Sequence, residues 1–184
     1  MPTCGTTYYR YDLANSDWKL QYADNLTDDE KARVRDALEQ GARQVGLWEE
    51  NPYGEHIEDR GTQMTHAALG QEAPAELKYA WAKANAEKRF ELRDAVAVLI
   101  PDLEVRVAGT TSTDVTKKGI DKAFGMTQLI ERLGITKEDI LFIGDKLMEG
   151  GNDYPVKAMG IDSLSVERWE DTAYVLEGII AVSK

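Results

Sequence analysis

The sequence holds a single cysteine, Cys4, and two histidines, His56 and His66, among 184 residues. One cysteine excludes an internal disulfide framework and a CxxC metal site. Thiol catalysis has little support, because neither histidine lies near Cys4 in the sequence. We interpret Cys4 as a small buried apolar residue, with a nucleophilic thiol as the alternative.

Long apolar runs and a basic leader are also missing. No stretch approaches the roughly 18 apolar residues needed to cross a bilayer, and the N-terminus lacks a basic segment followed by an apolar one. We therefore expect a cytoplasmic protein without a targeting segment or a membrane partner.

Positive charge is scarce. The 22 Lys and Arg residues stand against 33 Asp and Glu residues, and the formal net charge is -11. Binding to nucleic acid needs clustered cations that displace counterions from phosphates, so we expect no nucleic-acid partner. The hydrophobic fraction of 42% is ordinary for a soluble globular protein that buries a core.

The first 114 residues alternate strand pairs with helices. One amphipathic helix is predicted from Asp28 to Val45, with a Thr27–Glu30 capping box before it and Gly46 after it. A second is predicted to open at Pro74 and to stop before Pro101. The predicted strands are residues 6–11, 18–22, 56–60, 63–69, 103–108 and 112–115. Strand pairs separated by helices predict an antiparallel sheet covered on one face by two helices.

From Lys117 the pattern changes to helix, strand, helix, strand, helix. The predicted strands are residues 140–143 and 163–166, and Gly134 ends the first helix. This order predicts parallel strands joined by right-handed crossovers. We therefore predict an α/β protein with one domain over residues 1–114 and another over 115–184.

A glycine-rich loop, residues 144–153, follows the first of these parallel strands. Asp145 and Asp153 flank Gly150 and Gly151, which let the backbone fold tightly enough for both carboxylates to face one point. Open α/β sheets place their ligands at this carboxyl edge, and Mg²⁺ with a substrate phosphate suits such oxygen ligands. The alternative is that these side chains make turn and helix-cap hydrogen bonds.

Lys122 stands at the start of a predicted helix, where a cation meets the unfavourable end of the helix dipole. An anion held by Lys122 and by free backbone N–H groups would explain this placement. The alternative is an exposed lysine without a specific role.

Together these residues carry a family resemblance. The loop GDKLMEGGNDYP, the preceding strand ILFI and the segment GIDK resemble the third and fourth motifs of the haloacid dehalogenase superfamily. The similarity is to the branch with a square cap domain between core motifs, which contains eukaryotic-type phosphomannomutases and sugar-phosphate phosphatases. The resemblance covers nearly the whole chain. It implies an α+β cap over residues 1–114 and the C-terminal part of a Rossmann-like parallel core over 115–184.

The resemblance also implies roles for the loop and helix residues. Lys122 would neutralise the transferring phosphoryl group and Asp145 would ligate magnesium. Asn152 and Asp153 would complete or orient the metal shell. These roles match phosphoryl transfer, in which a metal and a lysine spread charge over the equatorial oxygens.

The implied cap contributes substrate contacts. The segment IEDR, which ends at Arg60, and the segment LGQ, which ends at Gln71, resemble the phosphomannomutase region that carries substrate-phosphate arginines. Arg60 would grip the non-reacting phosphate or the hydroxyls of a phosphorylated small molecule, expected to be a sugar phosphate. Gln71 stands where the mutases carry another arginine, which favours a phosphatase-like ancestor.

One family motif is not found in these residues. The family's nucleophile lies in a DxDx(T/V) segment ahead of the cap, and no DxD occurs in the 184 residues. We therefore expect a magnesium-dependent phosphoryl-transfer protein that is inactive alone. The alternative is a non-catalytic truncated module that binds phosphosugar or magnesium, or that complements a separate N-terminal piece. Strand edges exposed by a partial core further predict a homodimer.

Overall fold

The computed structural model describes residues 1–183, which form two compact units. The larger unit comprises Thr6–Ile120, and the smaller unit comprises Met1–Gly5 with the chain from Asp121 onward. Residues 1–5, which the domain prediction assigned to the first part of the chain, therefore belong with the later part.

The larger unit contains six strands in two antiparallel sheets. Strands β1 and β2 form a separate hairpin, and the other four form one sheet in the order β3-β4-β6-β5. The strands are β1 Thr7–Asp12, β2 Asp17–Ala23, β3 Ile57–Asp59, β4 Met64–Ala67, β5 Leu103–Ala108 and β6 Ser112–Lys117. All six predicted strands are present, but the first hairpin does not join the main sheet.

Three helices accompany this sheet: α1 Asp28–Val45, α2 Ala75–Ala84 and α3 Lys88–Leu99. The predicted capping box of α1 is formed, and Gly46 ends the helix in the left-handed conformation with φ 70°. The single helix predicted between Pro74 and Pro101 is wrong, because it is broken after Ala84. The Asn85 side chain donates to the Trp81 carbonyl oxygen, so it competes with the helical backbone at this point.

The core of the larger unit lies between the sheet and helices α1 and α3. Met64 of β4 and Val115 of β6 are paired across the sheet and point into this core. A Cβ on Gly41 of α1 would lie 2.6 Å from the Val96 side chain of α3, so only glycine permits this helix crossing. The core also includes Val34, Leu38, Ala42, Leu92, Ile100 and Val105.

His66 of β4 is part of the same interior and is 0% exposed. Neither of its ring nitrogens has a hydrogen-bond partner among residues 1–183. Burial, and secondarily the neighbouring His56, lower the pKa of His66 to about 4. The folded larger unit therefore holds His66 as a neutral imidazole at physiological pH.

The smaller unit alternates helices with two parallel strands. Its elements are α4 Lys122–Leu133, β7 Leu141–Gly144, α5 Tyr154–Ala158, β8 Asp162–Ser165 and α6 Trp169–Val182. Strands β7 and β8 pair in parallel, as predicted. No helix within residues 1–183 has the length and apolar character needed to cross a bilayer.

A 3-10 turn over Thr3–Gly5 packs against α4 in the smaller unit. A Cβ on Gly5 would lie 2.3 Å from the Cα of Gly125, and a Cβ on Gly125 would lie 2.7 Å from the Cys4 carbonyl oxygen. Both distances are too short for a real side chain. The N-terminal turn can lie against α4 only because both crossing residues are glycines.

We predict that His66 makes the stability of the larger unit depend on pH. Because the folded-state pKa is lowered, the contribution is intact above about pH 6.5 and is lost as pH falls toward 4. Between pH 7.5 and pH 5 the wild-type protein should lose about 2 kcal/mol that a His66→Leu variant retains. Urea unfolding at both pH values measures the difference. Parallel pH dependence in the two proteins would show that His66 is not buried as the neutral form.

Candidate functional site

Asp153 is the buried carboxylate of the smaller unit, with 1% of its side chain exposed. Its Oδ1 forms an ion pair and hydrogen bond with the Lys122 ammonium. Its Oδ2 accepts a hydrogen bond of 3.0 Å from the backbone N–H of Lys146. Both oxygens are therefore engaged by the protein, one by a cation and the other by the loop after β7.

The ionisation of Asp153 follows from these contacts. Burial alone would raise the pKa of this carboxyl. The Lys122 ammonium and the N–H groups of Lys146 and Asp145 outweigh burial and hold the pKa of Asp153 below its ordinary value. Asp153 is a carboxylate at neutral pH, and its charge is compensated within the site.

Two glycines allow the loop to close on Asp153. A Cβ on Gly144, at the end of β7, would lie 2.6 Å from the Asp153 Oδ2. A Cβ on Gly151 would lie 2.1 Å from the Lys146 carbonyl oxygen. Neither position can carry a side chain without moving the backbone or the carboxylate. The glycine-rich pattern thus serves close packing around a buried charge.

Helix α4 supplies the cation. Lys122 is its first residue, and the Asp121 carboxylate before it caps the helix by accepting from the Phe124 N–H at 2.9 Å. The Lys122 side chain is 36% exposed. An ammonium group has three donors, and the ion pair with Asp153 uses one. The others remain available to an anion at the mouth of the site.

Asp145 and Asn152, the other predicted metal-site residues, are both solvent-exposed. The Asp145 carboxylate is 51% exposed and lies 3.2 Å from the Lys146 ammonium. Among residues 1–183 no group of three or more His, Cys, Asp or Glu side chains could hold a metal ion. Mg²⁺ uses oxygen ligands and commonly takes only one or two carboxylates from a protein. The exposed oxygens of Asp145 and Asn152 fit that chemistry better than Asp153, whose oxygens are both engaged.

The predicted residues Arg60 and Gln71 lie in the larger unit. The guanidinium of Arg60 donates from two nitrogens to one Glu58 oxygen, at 2.8 and 2.6 Å. The Gln71 side-chain amide donates to the Thr65 backbone carbonyl oxygen at 3.3 Å. The Gln71 backbone carbonyl oxygen accepts from the Lys78 ammonium at 2.9 Å. Arg60 is therefore paired with a residue of β3, and Gln71 with a residue of β4.

Two contacts of Thr65, with Gln63 and with Asp114, are not predicted by the sequence. The Thr65 hydroxyl accepts from the Gln63 amide at 2.9 Å and donates to the Asp114 carboxylate at 2.8 Å. Burial raises the pKa of Asp114, against the lowering effects of Thr65 and Arg60. Thr65 and Asp114 are directly paired across β4 and β6, next to the core pair Met64–Val115. Strand alternation therefore puts them on the face opposite the core.

Two sequence comparisons match this chain to the same kind of protein. A profile described as eukaryotic phosphomannomutase matches residues 51–182. The phosphomannomutase of Encephalitozoon cuniculi (strain GB-M1) is 27% identical over 126 residues, which cover 65% of this chain and 47% of that protein. The chain thus spans about half the length of this curated relative.

Solved structures of an IMP-nucleotidase from Plasmodium falciparum share the fold. One has a TM-score of 0.60 at 15% identity, over 98% of this chain and 43% of that chain. An N-terminally truncated form has a TM-score of 0.58 at 16% identity, over 96% of this chain and 48% of that chain. The predicted haloacid dehalogenase-like α/β fold is therefore confirmed.

We predict that Asp153→Asn destabilises the smaller unit by about 2 kcal/mol, because a charged hydrogen bond is lost and Lys122 is left unpaired. The loss should be present above about pH 4 and should shrink as pH falls through the lowered pKa of Asp153. Urea unfolding measures it.

Asp145→Asn is the matched control, since its exposed ion pair is worth less than about 1 kcal/mol. Equal losses in the two variants would contradict a buried, charge-compensating role for Asp153.

Proposed function

The chain belongs to the eukaryotic phosphomannomutase family, and we propose from this membership that it takes part in magnesium-dependent phosphoryl transfer on a sugar phosphate. The observation that carries the proposal is the ion pair between the buried Asp153 carboxylate and the partly exposed Lys122 ammonium, beside the carboxyl end of β7. It fixes a cation, with free donors, at the edge where α/β folds bind ligands.

Lys122 would bind the transferring phosphoryl group. Its remaining ammonium donors would contact phosphate oxygens and offset the negative charge that these oxygens carry during transfer. Asp153 would act as a positioning residue, because its buried carboxylate holds the ammonium in place without contacting the substrate. Since the cation is fixed before substrate binds, little reorganisation accompanies the reaction.

Asp145 and Asn152 would hold the magnesium ion, with Asp153 orienting the loop between them. When bound, magnesium would supply positive charge that neutralises phosphate oxygens. The donor set supports this assignment, because carboxylate and amide oxygens are hard ligands and both side chains are exposed. The Lys146 ammonium beside Asp145 would have to move aside, which its exposed position allows.

In the larger unit, Arg60 and Gln71 would be the residues that contact a sugar phosphate, as the family resemblance implies. Arg60 presents an exposed guanidinium suited to a phosphate or to hydroxyls. Asp114, which accepts from the Thr65 hydroxyl, offers a half-buried acceptor for a sugar hydroxyl. Glu58 accepts hydrogen bonds from the Arg60 guanidinium. A phosphate would therefore have to compete with Glu58 for that group.

Phosphoryl transfer in this family also needs a nucleophile, and the 184 residues contain no DxDx(T/V) segment. We propose that the nucleophilic carboxylate is carried outside these residues. The alternative is a non-catalytic module that binds phosphosugar or magnesium. The coding sequence upstream of Met1 separates the two, since an in-frame DxDx(T/V) segment would supply the nucleophile.

Magnesium should raise the melting temperature of the smaller unit. At a free Mg²⁺ concentration ten times Kd, a single site stabilises the folded state by about 1.4 kcal/mol. We expect Asp145→Asn to abolish the rise and Glu149→Gln, an exposed acid in the same loop, to keep it. Calorimetric melting with and without Mg²⁺ tests this. An unchanged rise in Asp145→Asn would locate the binding elsewhere, and no rise in the wild type would rule out the site.

Phosphate binding and turnover should be separable. In the presence of Mg²⁺, we expect the chain to bind inorganic phosphate in calorimetric titrations and to leave p-nitrophenyl phosphate unhydrolysed. Lys122→Met should lower phosphate affinity at least tenfold, about the effect of one charged hydrogen bond. Lys157→Met, an exposed cation on α5, should not change it. Hydrolysis that disappears in Asp145→Ala would show that these residues already contain the nucleophile.

A further inference from the structure

The hairpin of β1 and β2 has one apolar side. Tyr9 is paired with Leu20 and Tyr11 with Trp18, so the alternation along both strands puts these four side chains on the same side of the hairpin. The rings of Tyr11 and Trp18 are in edge contact, with their centroids 5.3 Å apart. We call these four side chains the hairpin face.

The hairpin face is open to solvent. The exposed fractions are 41% for Tyr9, 42% for Tyr11, 63% for Trp18 and 53% for Leu20. Strands β1 and β2 form a two-stranded sheet of their own, and such a sheet is only marginally stable in water unless its apolar side is covered. A contiguous group of exposed aromatic and aliphatic side chains is typical of an interaction surface.

The base of the hairpin is fixed to the rest of the larger unit. The Thr6 hydroxyl donates to the Thr62 hydroxyl at 2.7 Å, and the Asp24 N–H donates to the Thr6 carbonyl oxygen at 2.9 Å. The Asp24 carboxylate also pairs with the Lys117 ammonium at 2.5 Å. Because the base is held before any partner binds, association through the hairpin face costs little additional ordering.

The hairpin has no net charge, unlike the chain as a whole. Residues 6–23 contain two basic side chains, Arg10 and Lys19, and two acidic ones, Asp12 and Asp17, whereas the full chain has a formal net charge of -11. Arg10 is paired with Lys19 and Asp12 with Asp17, so alternation puts all four on the side opposite the hairpin face. Copies of an acidic chain repel one another, and this repulsion is weakest where the surface is uncharged. The hairpin face therefore suits a second copy of this chain.

The exposed apolar area is large enough for a dimer. Leu13, in the turn between the two strands, is 85% exposed and extends the apolar surface at the tip of the hairpin. With the hairpin face it exposes about 550 Å² in one copy, at about 200 Å² for a complete side chain. Two copies would bury about 1,100 Å² from these side chains alone, which is above the roughly 1,000 Å² expected of a biological interface.

We propose that two copies of this chain associate through the hairpin face, with one hairpin stacked face to face on the other. The face is apolar throughout, so it is complementary to itself, and a two-fold axis between the hairpins lets the same residues serve both copies. The stacked hairpins form a two-layer β-sandwich in which each sheet covers the apolar side of the other. The sequence predicts a homodimer from the strand edges of the partial core, which is a different surface.

Sedimentation equilibrium of the full chain measures this association. We expect a monomer–dimer equilibrium with a Kd in the micromolar range, as suits an interface of small area. Trp18→Lys should weaken dimerisation at least about thirtyfold, the effect of losing one central aromatic side chain. Trp169→Lys on α6 is the matched control, because Trp169 is 76% exposed and the replacement changes the net charge equally. The control should leave the Kd within about twofold, since isolated surface substitutions have small effects.

A wild-type chain that stays monomeric at millimolar concentration would overturn the proposal. Equal weakening in Trp18→Lys and Trp169→Lys would overturn it too, because the effect would not be specific to the hairpin. Weakening in Trp169→Lys alone would place self-association on the smaller unit and would contradict the hairpin contact.

The wild-type protein gives a second measurement that does not depend on the folding of a variant. Hydroxyl-radical labelling of Tyr9, Tyr11 and Trp18 should fall at least about twofold between a dilute sample and one far above the Kd, since the interface removes these rings from solvent. Labelling of Trp169 and Tyr174, which is 72% exposed, should stay constant. Hairpin labelling that is independent of concentration, including labelling already low in the monomer because another part of the chain covers the face, would overturn the proposal. Neither experiment needs substrate or magnesium, so the results are independent of the proposed phosphoryl transfer.

Discussion

The smaller unit depends on the compensation of one buried carboxylate, that of Asp153. A carboxylate that is 1% exposed cannot remain charged unless a cation and backbone donors replace water. Lys122 provides the cation from the first turn of α4, and Lys146 provides an N–H from the loop after β7. Compensation of the Asp153 charge therefore needs the start of α4, the end of β7 and the glycine-rich loop to lie close together. If any of these moved, Asp153 would be a buried charge without compensation.

Much of the fold could be predicted from local chemistry. The bounds of α1 follow from its capping box and from Gly46, and Gly134 ends α4 for the same reason. The break between α2 and α3 could not be predicted, because no proline or glycine marks it. Asn85 ends α2, and both its backbone N–H and its side chain donate to the Trp81 carbonyl oxygen. The separation of the first hairpin from the main sheet depends on long-range pairing, which strand propensity does not encode.

The sequence names candidate site residues but not their arrangement. Lys122 and Asp153 are both candidates, and their pairing depends on a fold that brings together residues 31 positions apart. The Asp114–Thr65 contact was missed because it needs the register between β4 and β6. Alternation along each strand was visible in the sequence, but which strands are neighbours was not. Candidate residues can be named from the sequence one at a time, whereas the contacts between them are found only in the structure.

Helix α2 differs from its neighbours in how it is held. None of its ten residues is fully buried and only Trp81 packs against the core, whereas α1 and α3 both contribute fully buried side chains. Helices with little buried surface open at a small fraction of the global unfolding free energy. Since Lys78 of α2 binds the Gln71 backbone carbonyl, each local opening of this helix removes that contact. The backbone hydrogen bonds of Gln71 to Glu55 and of Glu72 to Tyr53 then hold the turn without the helix.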